Sequence, residues 1–343
     1  MKTEIKAYLM VLSGWQCLWH SSPLISWKYQ RPPETSHTSD SRESWQADIM
    51  QRRRGDFRYG RDFPKRFLTY YRVLFAIKAL LRWLRVQKPV TQLLGFQYQV
   101  ASDLIEIDLT YLCNLRCNNC NRSSAQAPAP VHLSLNDIRR FVDESLAARR
   151  DWARIRLLGG EPTLHPDFAH VIAELRRYKE HFPAARIQLV TNGFGQRVQS
   201  VLERIPDFIE IENSSKTGTV QPEFGPFNLA PQDGQAYRFV DYRNGCSIMK
   251  DCGVGLTPQG YYPCAVAGGI DRVRGMQRGR SALPGPEDQM RDLLADACAL
   301  CGRFRDGHFV PIKLRKPLVE QRTSRSWQKI YAEWHQRHSS KPR

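Results

Sequence analysis

Residues 108–124, DLTYLCNLRCNNCNRSS, set three cysteines within eight positions: Cys113, Cys117 and Cys120. A disulfide framework uses thiols in pairs, and a structural zinc site takes four ligands. Thiolates are soft donors that favour zinc, copper(I) and iron–sulfur clusters. A cubane [4Fe–4S] cluster held by three thiolates keeps one iron open to bind and activate a small molecule. Four thiolates make it mainly an electron carrier. The rival reading of this spacing is a zinc site completed by a distant residue such as His132. A second chemical feature follows in LLGGEPT. Gly159 and Gly160 let backbone approach a ligand closely, and Glu161, before Pro162, offers a carboxylate to an ammonium group. On its own that run reads equally as a strand-to-helix turn. Five further cysteines lie downstream: Cys246, Cys252, Cys264, Cys298 and Cys301, the last two as CxxC. Two thiols plus CxxC suit tetrahedral zinc or a second cluster. Cys17 has no partner signal.

These groups need a scaffold, and the periodicity supplies one. LIEIDLT (104–110), ARIRLL (153–158), RIQLVT (186–191) and FIEIE (208–212) read as strands. Between them Ser134 can cap a helix with the apolar stripe Ile138, Phe141, Val142 and Leu146. Phe168, Val171, Ile172 and Leu175 mark a second helix, and Val198, Val201, Leu202 and Ile205 a third. Strands alternating with helices require a parallel sheet with helices covering it, barrel-like or doubly wound. Ligands gather at the C-terminal strand ends of such folds, where the cysteine loop and the glycine pair both fall. After residue 213 the rhythm fades. GVGLTPQGYYPC (253–264) reads as a hairpin, with Pro258 and Gln259 in its turn and Gly260 where positive φ is tolerated.

Taken together, about residues 103–215 resemble the radical S-adenosylmethionine (SAM) superfamily. Cys113, Cys117 and Cys120 match its CxxxCxxC signature after the first strand. Gly159, Gly160, Glu161 and Pro162 match its motif for the methionine amino group. Thr191 and Asn192, with Gly193, match a polar segment that meets the nucleoside. A serine after the fourth strand commonly contacts the ribose, and Ser214 is chosen over Ser215. The residue before the third cysteine is usually aromatic and lies near the adenine; here it is Asn119, which leaves adenine packing open. The resemblance implies an α/β fold, a partial TIM-type (β/α)6 barrel, although only four βα units can be read. The hairpin bearing Cys264 and the later CxxC resemble the twitch domain, a truncated relative of SPASM. That implies an auxiliary [4Fe–4S] cluster on Cys246, Cys264, Cys298 and Cys301, with Cys252 the rival of Cys246. Gly260 and Cys264 have three residues between them, one fewer than the SPASM pattern.

The implied activity is reductive cleavage of SAM to a 5′-deoxyadenosyl radical, which takes a hydrogen atom from a peptide or small-molecule substrate. An electron donor such as flavodoxin or ferredoxin is the implied partner, and the auxiliary cluster would assist oxidation or binding. No catalytic side chain is assigned, because hydrogen abstraction needs no titrating group; His165 and His170, near GGEP, read as helix-surface histidines. Two other functions are compatible with the cysteines. One is an iron–sulfur electron-transfer protein that never cleaves SAM, against which the intact Glu161 motif argues. The other is a zinc protein whose basic flanks bind nucleic acid.

The charge distribution argues against nucleic acid. Of the net charge of +17, residues 1–100 contribute +10 and residues 312–343 contribute +7, while 101–311 is neutral. The cysteine-bearing body therefore has no basic footprint. Residues 1–50 lack sustained periodicity and read as poorly ordered or as a non-native extension, with Met50 a candidate start. Residues 51–102 form a basic helical segment in which Lys78, Arg82 and Arg85 fall on one face of a helix over 67–86. That helix either makes a peripheral contact with an anionic membrane or packs on the body with a solvated basic stripe, the arrangement preferred here. The basic tail 312–343 is read in the same way. The core spans 103–242 and the auxiliary module 243–311. No apolar run approaches a membrane span, and the protein reads as cytoplasmic.

Overall fold

Helix α1 (Leu68–Arg85) and short α2 (Lys88–Leu94) precede the core. The core then runs β1 (Leu104–Thr110), β2 (Arg116–Cys117), α3 (Leu135–Ala147), β3 (Arg154–Gly159), α4 (Phe168–His181), β4 (Arg186–Thr191), α5 (Gln196–Leu202), β5 (Ile209–Asn213) and β6 (Val220–Gln221). It continues with α6 (Ser247–Asp251), β7 (Val254–Thr257), β8 (Gly260–Tyr262), α7 (Ala265–Arg274), α8 (Arg291–Leu300), α9 (Arg303–Asp306) and α10 (Arg325–Ser339). The computed structural model describes residues 68–221, 225–310, 314 and 323–339. The expectations for residues 1–50 and for Met50 lie outside the described residues.

The main sheet has the order β5-β4-β3-β1-β7-β8 and is open. All neighbours are parallel except β7 and β8, which form the antiparallel hairpin. β1 is central, so both its faces are covered. Ile105, Ile107 and Leu109 enter the apolar core on one face, and Glu106, Asp108 and Thr110 are buried on the other. Ser134 caps α3 by accepting the Asp137 N–H at 3.1 Å. Ile138, Phe141 and Val142 of α3 and Phe168, Val171, Ile172 and Leu175 of α4 are buried as their spacing predicts. Trp152, fully buried, ties the two helices: its indole donates to Ser145 Oγ at 3.0 Å and its N–H to the Tyr178 hydroxyl at 2.8 Å. α5 ends at Leu202, short of Ile205.

The fold is thus an open, mostly parallel α/β sheet, and its six strands have two sources. Four come from the βα run and two from the downstream hairpin, whose β7 pairs with β1 through Ile105–Val254 and Ile107–Leu256. Edge strands expose unpaired backbone groups, and the hairpin covers the free edge of β1. The segment from residue 243 is therefore built into the core sheet.

The basic face of α1 differs from the solvated stripe expected. Arg82 is 4 % exposed, and its guanidinium donates to the carbonyls of Phe304 (3.1 Å) and Gly245 and to the side chain of Gln97. Lys78 and Arg85 are half-buried. Five N–H donors make arginine able to satisfy several buried carbonyls at once, so Arg82 turns inward while Lys78 and Arg85 stay at the edge of the contact. α10 packs on the body through buried Trp327, Tyr331 and Trp334. Among the described residues no helix is long and apolar enough to cross a membrane.

α1 also meets the body at Phe75, whose ring lies 5.5 Å from that of His308. Burial, reinforced by Lys78 and Arg303, lowers the His308 pKa from 6.5 to about 4. A histidine depressed on folding binds its proton more readily in the unfolded chain. Its share of stability is complete above 6.5 and is lost as pH falls towards 4. Urea midpoints measured between these limits should fall less steeply in His308→Phe than in wild type.

Candidate active site

β1 delivers the cysteine loop to the C-terminal edge of the sheet. Cys117 is buried, Cys113 and Cys120 are half-buried, and all three are free thiols. The loop is held at Cys117, where β2 pairs with β6 and the Arg116 N–H donates to the Thr219 carbonyl at 2.6 Å. Three donors approach the sulfurs: Leu115 N at 3.4 Å and Asn192 Nδ2 at 3.9 Å on Cys113, and Lys216 Nζ at 3.7 Å on Cys117. Burial pushes the Cys113 thiol up to about 12 and raises that of Cys117 against the pull of Lys216. Such thiols stay protonated until a metal displaces the proton.

The GGEP turn packs directly under this loop. Gly159 has φ +130°, and a Cβ there would lie 2.3 Å from the Thr110 carbonyl oxygen; at Gly160 it would lie 2.2 Å from that of Leu112. The Gly160 and Glu161 N–H groups donate to those same carbonyls at 2.6 and 2.8 Å. Glu161 is fully buried, and its carboxylate is already engaged. It accepts from the Thr163 and Thr191 hydroxyls and the Asn192 N–H, each at 2.8 Å. Burial pushes its pKa up while these donors pull it down. Pro162 opens the short turn that follows. Asn192 bridges to Asn114 at 2.8 Å, and the Ser214 hydroxyl donates to the Thr191 carbonyl at 3.0 Å. The structure therefore gathers the ends of β1, β3 and β4 around one carboxylate, with Cys113, Thr191, Asn192 and Ser214 beside it. Asn119, at φ +53°, is fully buried, and neither atom of its amide has a partner among the described residues.

The histidines stand elsewhere. His132 packs edge-on against His165, ring centres 5.4 Å apart, and His165 Nε2 meets the Leu133 carbonyl at 2.8 Å. His165 is 4 % exposed, so its expected surface position is not found. His170 is on the surface, its side chain 71 % exposed. Among the described residues no three His, Cys, Asp or Glu side chains converge on the point one metal ion would occupy.

Beneath the loop lies a charge network that spacing did not reveal. Arg122, two residues after Cys120, grips both oxygens of Asp108 at 3.1–3.2 Å and reaches Glu106 at 3.2 Å. Arg156 joins Glu106 at 2.6 Å and Glu212 at 2.8 Å. Although burial opposes it, the pull of Arg156 and Arg122 holds the Glu106 carboxyl below its usual range. Burial wins at Asp108, raising it to about 6. Arg272 of α7 donates to the carbonyls of Ala127 and Arg122, both at 2.8 Å, and stacks on Tyr111. Tyr331 of α10 meets the Ser123 hydroxyl at 2.8 Å. Arg122, Arg272, Tyr331, Asn114 and Lys216 were missed because each acts across long sequence separations; only the position of Arg122, just past the cysteines, was a usable signal.

The downstream cysteines sort cleanly. Cys246, Cys264, Cys298 and Cys301 line one apolar cavity, closed by Phe304 and Leu294. Cys252 lies apart, its sulfur 4.0 Å from Arg156 Nη1. Burial raises all four cavity thiols, Cys264 to about 12. Arg82 braces this cavity, since Gly245 and Phe304, whose carbonyls it holds, flank Cys246 and the CxxC.

Residues 107–211 match the model of the Radical SAM superfamily, and this segment is similar to that superfamily. It is 32 % identical over 102 residues to a GTP 3′,8-cyclase of Mannheimia succiniciproducens, covering 29 % of this chain and 28 % of that protein. It is 33 % identical over 92 residues to a GTP 3′,8-cyclase of Pasteurella multocida, covering 26 % of each. The chain thus matches only about a quarter of the length of these relatives. A solved structure of BtrN in complex with AdoMet and 2-DOIA is 15 % identical and covers 60 % of this chain and 94 % of that one. The TM-score between the two is 0.34.

The network makes a direct prediction. Arg122→Gln strands the buried Asp108 carboxylate and leaves Glu106 with Arg156 alone, and should cost about 3–5 kcal/mol in chemical denaturation. Arg139→Gln, which breaks an exposed pair with Glu174, should cost less than about 1 kcal/mol.

Proposed function

We propose that this protein is a radical SAM enzyme acting on a peptide or small molecule. The observation that carries this reading is the meeting of the CxxxCxxC loop, the GGEP turn and Thr191–Asn192 at one edge of the sheet, joined through Glu161. Cys113, Cys117 and Cys120 would hold a [4Fe–4S] cluster. Soft thiol donors suit it. When bound, the cluster would supply the electron for reductive cleavage of SAM to a 5′-deoxyadenosyl radical. The protein's own part is placement. Gly159 and Gly160 let the turn pack against the backbone of the cysteine loop, Glu161 keeps the three strand ends in register, and Asn192 and Ser214 offer polar atoms for the nucleoside. Lys216 and the Leu115 N–H would stabilise charge on the thiolates. The buried Asn119 amide is a donor–acceptor pair left unmet among the described residues, consistent with a ligand nearby.

Cys246, Cys264, Cys298 and Cys301 would hold an auxiliary [4Fe–4S] cluster in their shared cavity, a reading supported over Cys252 by the position of Cys252 beside Arg156. Four protein thiolates leave no open iron, so this site would accept or relay electrons. The partner is a one-electron donor such as flavodoxin or ferredoxin.

Anaerobically reconstituted protein should carry about eight irons, four per cubane, and release 5′-deoxyadenosine from SAM on reduction. Cys117→Ala should abolish release. Cys298→Ala should lower iron to about four and spare release while stopping substrate turnover. A fully loaded wild type that releases none is an electron carrier, and a colourless zinc-loaded preparation overturns the cluster reading altogether.

A further inference from the structure

Twelve large apolar side chains stand exposed among the described residues, and nine lie on α1 or on the segments joined to its C-terminal end. On α1 they are Tyr70, Val73, Ile77, Leu80, Leu81 and Leu84, each at least 41 % exposed. At 3.6 residues per turn these six fall within about 100° of the helix circumference. Phe239, 64 % exposed, lies just past the helix end, where its carbonyl accepts the Lys88 N–H at 3.0 Å. The opposite side of α1 is held to the body by Arg82, by Phe75 on His308, and by the Trp83 indole on the Ala236 carbonyl at 2.7 Å. The stripe is therefore the outward face of an anchored helix. Single exposed apolar residues are ordinary, but a contiguous row marks an interaction surface.

The charge around the stripe selects its occupant. Residues 63–102 contain seven Lys/Arg and no Asp or Glu. Half-buried Lys78 and Arg85 run along one edge of the stripe, while Arg72 is exposed on its far side. Exposed Lys88 and Arg238 sit beside Phe239. A second copy docked here would oppose this basic helix to itself. Residues 1–67 are also basic, with 12 Lys/Arg against 7 Asp/Glu. A phospholipid surface complements both features, since its acyl boundary takes the apolar row and anionic headgroups take the basic edge. We infer that α1 is an interfacial helix that docks this protein, in the plane of the membrane, on an anionic lipid bilayer. This inference is independent of the cysteine chemistry.

The test is flotation of the full-length chain with vesicles of phosphatidylcholine alone, or with about one-third phosphatidylglycerol. Anionic vesicles should carry at least tenfold more protein than neutral ones, and raising salt to about 0.5 M should reduce that binding severalfold. Ile77→Ser with Leu81→Ser should cut binding at least tenfold while leaving circular dichroism and iron loading unchanged. Arg72→Gln with Lys88→Gln, which keeps the stripe, should remove the preference for anionic vesicles. Three results would overturn the inference. One is full-length protein that stays with the aqueous fraction; another is Ser variants that float as wild type does. The third is light scattering that shows a dimer dissociated by the Ser substitutions in protein that ignores vesicles.

Discussion

Arg122 is the side chain on which the geometry of the site turns. It leaves the cysteine loop two residues after Cys120 and returns to β1, where it spans Asp108 and Glu106. All three groups are buried, so the arrangement exists only if charges are paired and oriented together. A buried ion network of this kind adds little net stability, because desolvation offsets most of the attraction. What it provides is a single position for the loop. Arg156 extends the same constraint to β3 and β5, and the central strand cannot shift without separating opposite charges.

The downstream part of the chain completes that constraint. Its hairpin covers the edge of β1, and α7, which begins immediately after Cys264, sends Arg272 to the carbonyls of the cysteine loop. At Gly269 the same helix approaches that loop closely enough that an added Cβ would meet the Asn121 carbonyl at 3.3 Å. α10 adds Tyr331 at Ser123. The two groups of cysteines are thus parts of one packed body.

α1 shows how one local pattern admits opposite outcomes. Lys78, Arg82 and Arg85 share a face, and charge alone would send that face to water. The carbonyls of Gly245 and Phe304 lie within reach of Arg82, and a guanidinium satisfies them better than any other side chain. With Arg82 inward, aliphatic residues are left outward.

Much of this protein was legible in its sequence, because the relevant signals are local. Strand alternation and helical stripes report burial within a few residues, and four strands, their covering helices and the hairpin turn were all readable. The spacing of Cys113, Cys117 and Cys120 and the glycines before Glu161 announce chemistry through residue type alone. Long-range contacts decided the rest. Whether Cys246 or Cys252 joins Cys264 and the CxxC depends on where α6 packs, and periodicity carries no such information. The placement of the hairpin against β1, the engagement of the Glu161 carboxylate by Thr191 and Asn192, and the burial of Arg82 depend on groups tens to hundreds of residues away. Burial makes an unmet hydrogen-bonding group costly, so these pairings are fixed by what tertiary packing brings within reach.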